Sequence, residues 1–137
     1  MGDGNGGNKG KKLVAIDPTS PYYLHHSDHP GMNVCPAVLK GDNYQEWEKS
    51  MRIAFRAKHK LGFLDGLVTK PDDLASEIED WWSVNSMLVV WVVQPIEPTL
   101  QSTITYYDTV KELWDDLRKR FSIGNGPRIQ QLTSDLA

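Results

Sequence analysis

The chain has 137 residues, of which 39% are hydrophobic, so it can bury one core but not two. Its formal charge of −3 excludes a general attraction for nucleic acid, and any such binding would need a local basic patch. The lone cysteine, Cys35, excludes an internal disulfide and favours a reducing compartment. No apolar run approaches the roughly 20 residues that span a bilayer, and none follows Met1 as a signal peptide. We therefore expect a cytoplasmic or nuclear protein without a membrane partner.

The first 41 residues lack any pattern of a long helix. Residues 1–20 begin with a Gly-, Asn- and Lys-rich segment, so we expect a disordered tail there and a single helical domain over residues 21–137. Pro18, Pro21, Pro30 and Pro36 restrict the following segment to extended pieces and turns. We expect an extended arm that lies across the helices, with a short strand or hairpin around residues 32–39.

The first predicted helix begins near Asp42, which can act as its N-cap, with Gln45 three residues later as in a capping box. Helical spacing then places one set of apolar residues on one face: Tyr44, Trp47, Met51, Ala54, Phe55 and Leu61. Four cations fall on the opposite side of the same helix: Lys49, Arg52, Arg56 and Lys60. Gly62 and the Asp65–Gly66 pair should end this helix.

The central segment contains three of the five tryptophans and the longest apolar run, residues 87–93. From Leu74 to Val92 its apolar residues recur at helical spacing, with Asn85 as the polar exception, and Pro95 should stop the helix. From Met87 onward the pattern is that of a helix buried on every side. The alternative is a buried strand, because valine and tryptophan favour strands.

Two or three further helices are predicted after Pro95. A short one can start at Pro98 and bury Leu100 and Ile104. The next is capped by Asp108 or Thr109, with Glu112 completing a capping box, and has the apolar stripe Val110, Leu113, Trp114, Leu117 and Phe121. A turn at residues 124–127 should precede a last helix that carries Ile129, Leu132 and Leu136 and has no stop signal. This ending is what we expect of a chain cut from a longer one, or of a last helix that packs on a partner.

These patterns predict an all-α fold, a compact bundle of about five helices with a Pro-rich N-terminal arm. The expected core anchors are the large side chains Trp47, Trp81, Trp82, Leu88, Trp91, Trp114 and Phe121.

Chemical machinery is not evident in the sequence. The cluster of His25, His26, Asp28 and His29 near Cys35 lacks the paired spacing of zinc ligands, so we interpret it as a polar turn. No nucleophile elbow, phosphate-binding loop or aspartic-protease turn accompanies the serines, histidines and acids. We therefore expect no catalytic, metal or cofactor site and no enzyme activity.

The four cations Lys49, Arg52, Arg56 and Lys60 form the best candidate interaction surface, because like charges along one face repel unless they are offset. Such a face could be merely solvated, could contact RNA phosphates, or could meet the acidic turns of a neighbouring subunit.

The order of several segments is more informative than any one of them. Seven segments, taken together and in this order, resemble the N-terminal region of plant copia-type LTR retrotransposon Gag polyproteins. They are residues 22–31, 39–47, 51–54, 60–66, 82–95, 112–121 and 125–129. The resemblance covers roughly residues 20–137. It implies a capsid-like, all-α domain that assembles with copies of itself into a virus-like particle and catalyses nothing. In that family a Cys/His zinc knuckle follows and binds RNA, and this chain contains none.

From this resemblance we expect a self-associating structural protein, a homo-oligomer. The expected apolar contact surface comprises Trp114, Leu117, Ile129, Leu132 and Leu136. Two alternatives remain open. One is a domesticated Gag-derived adaptor that holds a host protein or peptide in a groove between helices. The other is weak RNA binding through the basic helix face.

Overall fold

The computed structural model describes residues 16–105 and 107–133, with side chains up to residue 122. This part of the chain contains five α-helices and no strand: α1 (Tyr44–Ala57), α2 (Leu61–Asp65), α3 (Ile78–Val93), α4 (Pro98–Gln101) and α5 (Val110–Thr133). The predicted all-α class, with about five helices and a non-helical arm before them, is confirmed. Residues 1–15 of the predicted tail lie outside the described residues.

Helix α1 begins one residue later than a cap at Asp42 would allow. Asn43 is the N-cap, and its side chain accepts a hydrogen bond from the Lys40 amide (2.8 Å) and donates one to the Val38 carbonyl (2.8 Å). It therefore fixes the end of the arm against the start of the helix. The buried face of α1 carries Tyr44, Trp47, Met51 and Phe55, as the stripe predicted.

The first helix is shorter than predicted. It ends at Ala57 instead of continuing through Leu61, because His59 takes a left-handed conformation (φ 60°) and turns the chain into the separate helix α2. Gly66, with φ 85°, ends α2 in the same way, which agrees with the predicted Asp65–Gly66 stop.

Helix α3 is the central helix, so the strand alternative is wrong. It begins at Ile78 and not at Leu74, which is 93% exposed in the connection before the helix. It ends at Val93, before Pro95, as expected. The expectation of burial on every side is also wrong in one place, because Val90 is 40% exposed.

The core is built around aromatic pairs between helices. Helix α5 packs against α1, α2 and α3. The rings of Trp47 and Trp114 lie 5.6 Å apart, and Phe55 meets Trp91 edge-on at 6.0 Å. Of the expected anchors, Trp82 and Phe121 are only partly buried, whereas the others are buried: Trp47, Trp81, Leu88, Trp91 and Trp114.

The arm contains no hairpin between residues 32 and 39. Its only ladder-like contact in the described chain is a single parallel bridge between Leu39 and Ile96, in which the Leu39 amide donates to the Pro95 carbonyl (2.8 Å) and the Glu97 amide donates to Leu39 (3.0 Å). Pairing does not extend back along the arm, because the chain before Pro95 is helix α3, whose backbone groups bond within the helix.

The end of the chain differs from prediction in two ways. The backbone of α5 is helical from Val110 to Thr133, without the turn predicted at residues 124–127. Glycine can adopt helical angles, and the helix continues through Pro127 although proline lacks the N–H for one helical hydrogen bond and its ring crowds the carbonyl four residues earlier. Trp114 and Leu117 are 1% and 0% exposed, so they belong to the core and not to an exposed contact surface. The side chains of Ile129, Leu132 and Leu136 lie outside the described residues.

Candidate interaction surface

The four cations predicted to share one face do not do so. Lys60 lies between α1 and α2 and is only 3% exposed. Its Nζ donates to the Tyr23 carbonyl at 2.6 Å, and burial lowers the pKa of its ammonium group. Lys60 is therefore a structural residue that holds the arm. It does not share the face of Lys49 and Arg56, because the chain turns at His59, before Lys60 is reached.

Arg52 is also engaged within the fold. Its guanidinium donates to the Asp65 carboxylate at 2.9 Å and so links α1 to the end of α2. This hydrogen bond is the main reason that the pKa of Arg52 is raised. Lys49 and Arg56 are exposed and form no ion pair with any described residue. Two of the four cations are thus left for contacts outside the domain.

The exposed side of α1 is of mixed character. Glu46, Lys49, Ile53 and Arg56 follow one another at intervals of three, four and three residues, so they form one stripe along the helix, and all four are exposed. Ile53 is 61% exposed although it is a large apolar side chain. We call these four residues the α1 outer stripe. The sequence contained the signal for Ile53, since it is the only large apolar residue of the helix that falls outside the buried stripe.

The histidine cluster forms a turn that attaches the arm to the helices. The Asp28 carboxylate accepts hydrogen bonds from the His25 amide (3.0 Å) and from Lys58 Nζ (2.7 Å), and the Trp91 indole donates to the His29 carbonyl (2.8 Å). Burial raises the pKa of Asp28. The hydrogen bonds from Lys58 and His25 and the charges of Lys58 and Lys60 outweigh burial, so the pKa of Asp28 lies below the ordinary value of 3.8.

The described part of the chain carries neither a metal-ligand cluster nor a membrane-spanning helix. There, no group of three or more histidine, cysteine, aspartate or glutamate side chains converges on a point that could hold a metal ion. None of the helices in that part is both long enough and apolar enough to cross a bilayer. Cys35 is buried, with its Sγ 3.5 Å from both the Ala37 carbonyl and the Ser50 hydroxyl.

The fold and this surface define a helical module in which the buried charges and indole groups attach the arm to the bundle and one mixed helix face points outward. Residues 25–72 match the family model described as Gag-polypeptide of LTR copia-type. The resemblance to copia-type Gag is therefore confirmed over these residues. No curated protein and no solved structure matches the chain.

The matched range covers the first half of the helical domain. It contains the Asp28 turn, the end of the arm, α1 and α2, and it stops in the connection before α3. Gag domains of this family are structural, non-catalytic components of retrotransposons, and the match over residues 25–72 supports a Gag-like structural role.

Proposed function

We propose that this protein is a capsid-type module that associates with copies of itself, as a building block of a virus-like particle in the cytoplasm or nucleus. The observation that carries the proposal is the family match over residues 25–72. The matched region holds the Asp28–Lys58 contact that attaches the arm to α1, and it also holds the exposed α1 outer stripe.

The fold suits a repeated building block. Its arm is attached by buried or partly buried polar contacts at Tyr23, Asp28 and His29, so the outer faces keep a fixed geometry. A particle built from many copies needs only weak individual contacts, because linked contacts act together. We therefore expect self-association that depends on concentration.

Sedimentation velocity of the purified, nuclease-treated chain, from low micromolar concentration to the solubility limit, tests this proposal. We expect the weight-average sedimentation coefficient to rise with concentration as larger species form. A chain that sediments as a monomer throughout would overturn the proposal and favour the adaptor alternative, in which the fold holds a host peptide.

RNA binding through the basic face is a weaker candidate, because only Lys49 and Arg56 of the four cations are left unpaired by the described residues, and Glu46 and Glu48 flank them. If two phosphates of single-stranded RNA are contacted, the logarithm of the affinity should fall with the logarithm of the salt concentration with a slope of only about −1.4. Filter binding across a salt series measures this slope. Charge reversal at Arg56 should then abolish the remaining affinity, whereas a much steeper slope would require other cations.

A further inference from the structure

We propose that two copies of this protein pair through their α1 outer stripes, with the two helices antiparallel. The inference rests on the proposed self-association and names the surface and the partner, a second copy of this chain. The stripe comprises Glu46, Lys49, Ile53 and Arg56.

Among the residues whose side chains the structure describes (16–105 and 107–122), the stripe is the one helix face on which an exposed large apolar residue lies between charges of opposite sign. Other exposed apolar residues lie elsewhere: Leu67 (82% exposed) and Leu74 (93%) in the connection between α2 and α3, and Val38 (42%) in the arm. Val90 (40%) is on α3, whose neighbouring exposed residues Ser86 and Gln94 are uncharged. Only Ile53 therefore has charged partners in a regular helical register.

The order of charges along the stripe is self-complementary. Glu46 lies in the first turn of α1 and Arg56 in the last turn. The ten residues between them span about 15 Å of helix. When a second α1 lies antiparallel at the level of Met51, each Glu46 faces Arg56 of the second copy, and each Ile53 faces the aliphatic stem of Lys49. A two-fold axis repeats both contacts, which gives two ion pairs around two apolar contacts.

The same charges argue against other occupants. A parallel arrangement would place Glu46 beside Glu46 and Arg56 beside Arg56, and like charges at close range are unfavourable. An RNA strand would meet the acidic end at Glu46 and Glu48 as well as the cations. One 14-residue helix face is small for a stable dimer, so the contact is weak by itself and suits an assembly of many copies.

A charge-swap experiment tests the pairing. We expect Glu46→Arg and Arg56→Glu each to weaken dimer affinity at least about tenfold, because each change creates two like-charge contacts in a symmetric pair. The double variant exchanges the signs and should restore affinity to within about threefold of the unchanged chain. Ile53→Lys should abolish pairing, since it removes the apolar contact and places a second cation opposite Lys49 of the second copy. Sedimentation velocity in nuclease-treated samples measures all four variants.

Leu67→Lys and Leu74→Lys are the matched controls, because they also replace exposed apolar residues with lysine but lie off the stripe. They should leave the affinity unchanged. Circular dichroism and thermal unfolding confirm that each variant folds, as exposed positions should allow. If the unchanged chain associates and all stripe variants associate equally well, this inference fails and the proposed function stands. If single charge changes weaken pairing but the double variant does not restore it, the antiparallel register is wrong. A chain that never associates overturns both.

Discussion

Asn85 is the polar residue within the apolar stripe of α3, and its amide joins two helices. It is 1% exposed. Its Oδ1 accepts a hydrogen bond from the Val110 amide (2.8 Å), the first residue of α5, and its Nδ2 donates to the Asp108 carbonyl (2.7 Å). The first amides of a helix have no partner within it, so Asn85 supplies from a neighbouring helix what a local cap would supply. The Thr109 hydroxyl accepts a hydrogen bond from the Glu112 amide, two residues further along the helix, at 3.2 Å.

Replacing Asn85 with alanine should lower the free energy of unfolding by about 2–3 kcal/mol, because the buried Val110 amide and the Asp108 carbonyl would lose their partner. Urea denaturation measures the change. Ser86→Ala is the control on the same helix, since Ser86 is exposed, and should stay within about 0.5 kcal/mol. Equal effects for the two variants would show that the Asn85 bridge contributes nothing specific.

Single residues also show where sequence reasoning stops. The positions of Trp47, Trp91 and Trp114 in the core followed from helical spacing. Lys60 was placed with the exposed cations by the same spacing, and this was wrong because its partner, the Tyr23 carbonyl, is far away in sequence. Long-range polar contacts of this kind leave no periodic signal. The same holds for Asn85, whose role depends on where α5 begins.

The way in which α1 ends determines that Lys60 does not lie on the exposed face of the helix. Lys58 is the C-cap, the His59 amide bonds to the Arg56 carbonyl (3.0 Å), and the Lys60 amide bonds to the Phe55 carbonyl (2.8 Å). With His59 at φ 60°, this is the Schellman arrangement that ordinarily uses glycine. Its consequence is that Lys60 leaves the helix and turns inward.

His59→Gly should raise the free energy of unfolding by about 0.5–1 kcal/mol, because glycine adopts positive φ without the steric cost that a side chain incurs. The gain is limited by the greater freedom of glycine in the unfolded chain. Thermal and urea unfolding measure it. Ala57→Gly, two residues earlier at the last helical position, should instead destabilise by up to about 1 kcal/mol. Destabilisation by both changes would contradict the role assigned to His59.

The start and existence of most elements were predictable, and their ends were less so. The helical period, Pro95 and the Thr109 cap identified α3, α4 and α5. The break after Ala57 was missed because no glycine marks it, and the turn expected at residues 124–127 was wrong because glycine and proline are statistical breakers that a helix can include. Composition alone does not distinguish a Gly- and Pro-containing segment that ends a helix from one that a helix includes.

At the scale of the whole molecule, the arm depends on a few polar contacts with the helices. Lys60 and Trp91 donate to backbone carbonyls of the arm, and Lys58 pairs with Asp28, whose side chain is only 4% exposed. The prediction that the arm lies across the helices is correct, and its attachment points could not be predicted, because each joins residues about 30 or more positions apart. The α1 outer stripe, in contrast, is local and could be read from one helix.

The Asp28–Lys58 pair should make the attachment of the arm sensitive to pH. Because the folded-state pKa of Asp28 lies below its unfolded value near 3.8, its contribution is fully present above that value and is lost as pH falls through the folded pKa. Asp28→Asn should cost about 1.5–3 kcal/mol of unfolding free energy at neutral pH, and the difference from the unchanged chain should shrink below about pH 4. Urea denaturation at a series of pH values measures this difference. Asp73→Asn is the control: it removes the ion pair between Lys70 and Asp73, and the Asp73 side chain is 79% exposed. This change should lower the free energy of unfolding by no more than about 0.5 kcal/mol at any pH. A constant difference between Asp28→Asn and the unchanged chain down to pH 2–3 would mean that the carboxylate charge does not hold the arm, because the protonated side chain would then be as effective as the ionised one.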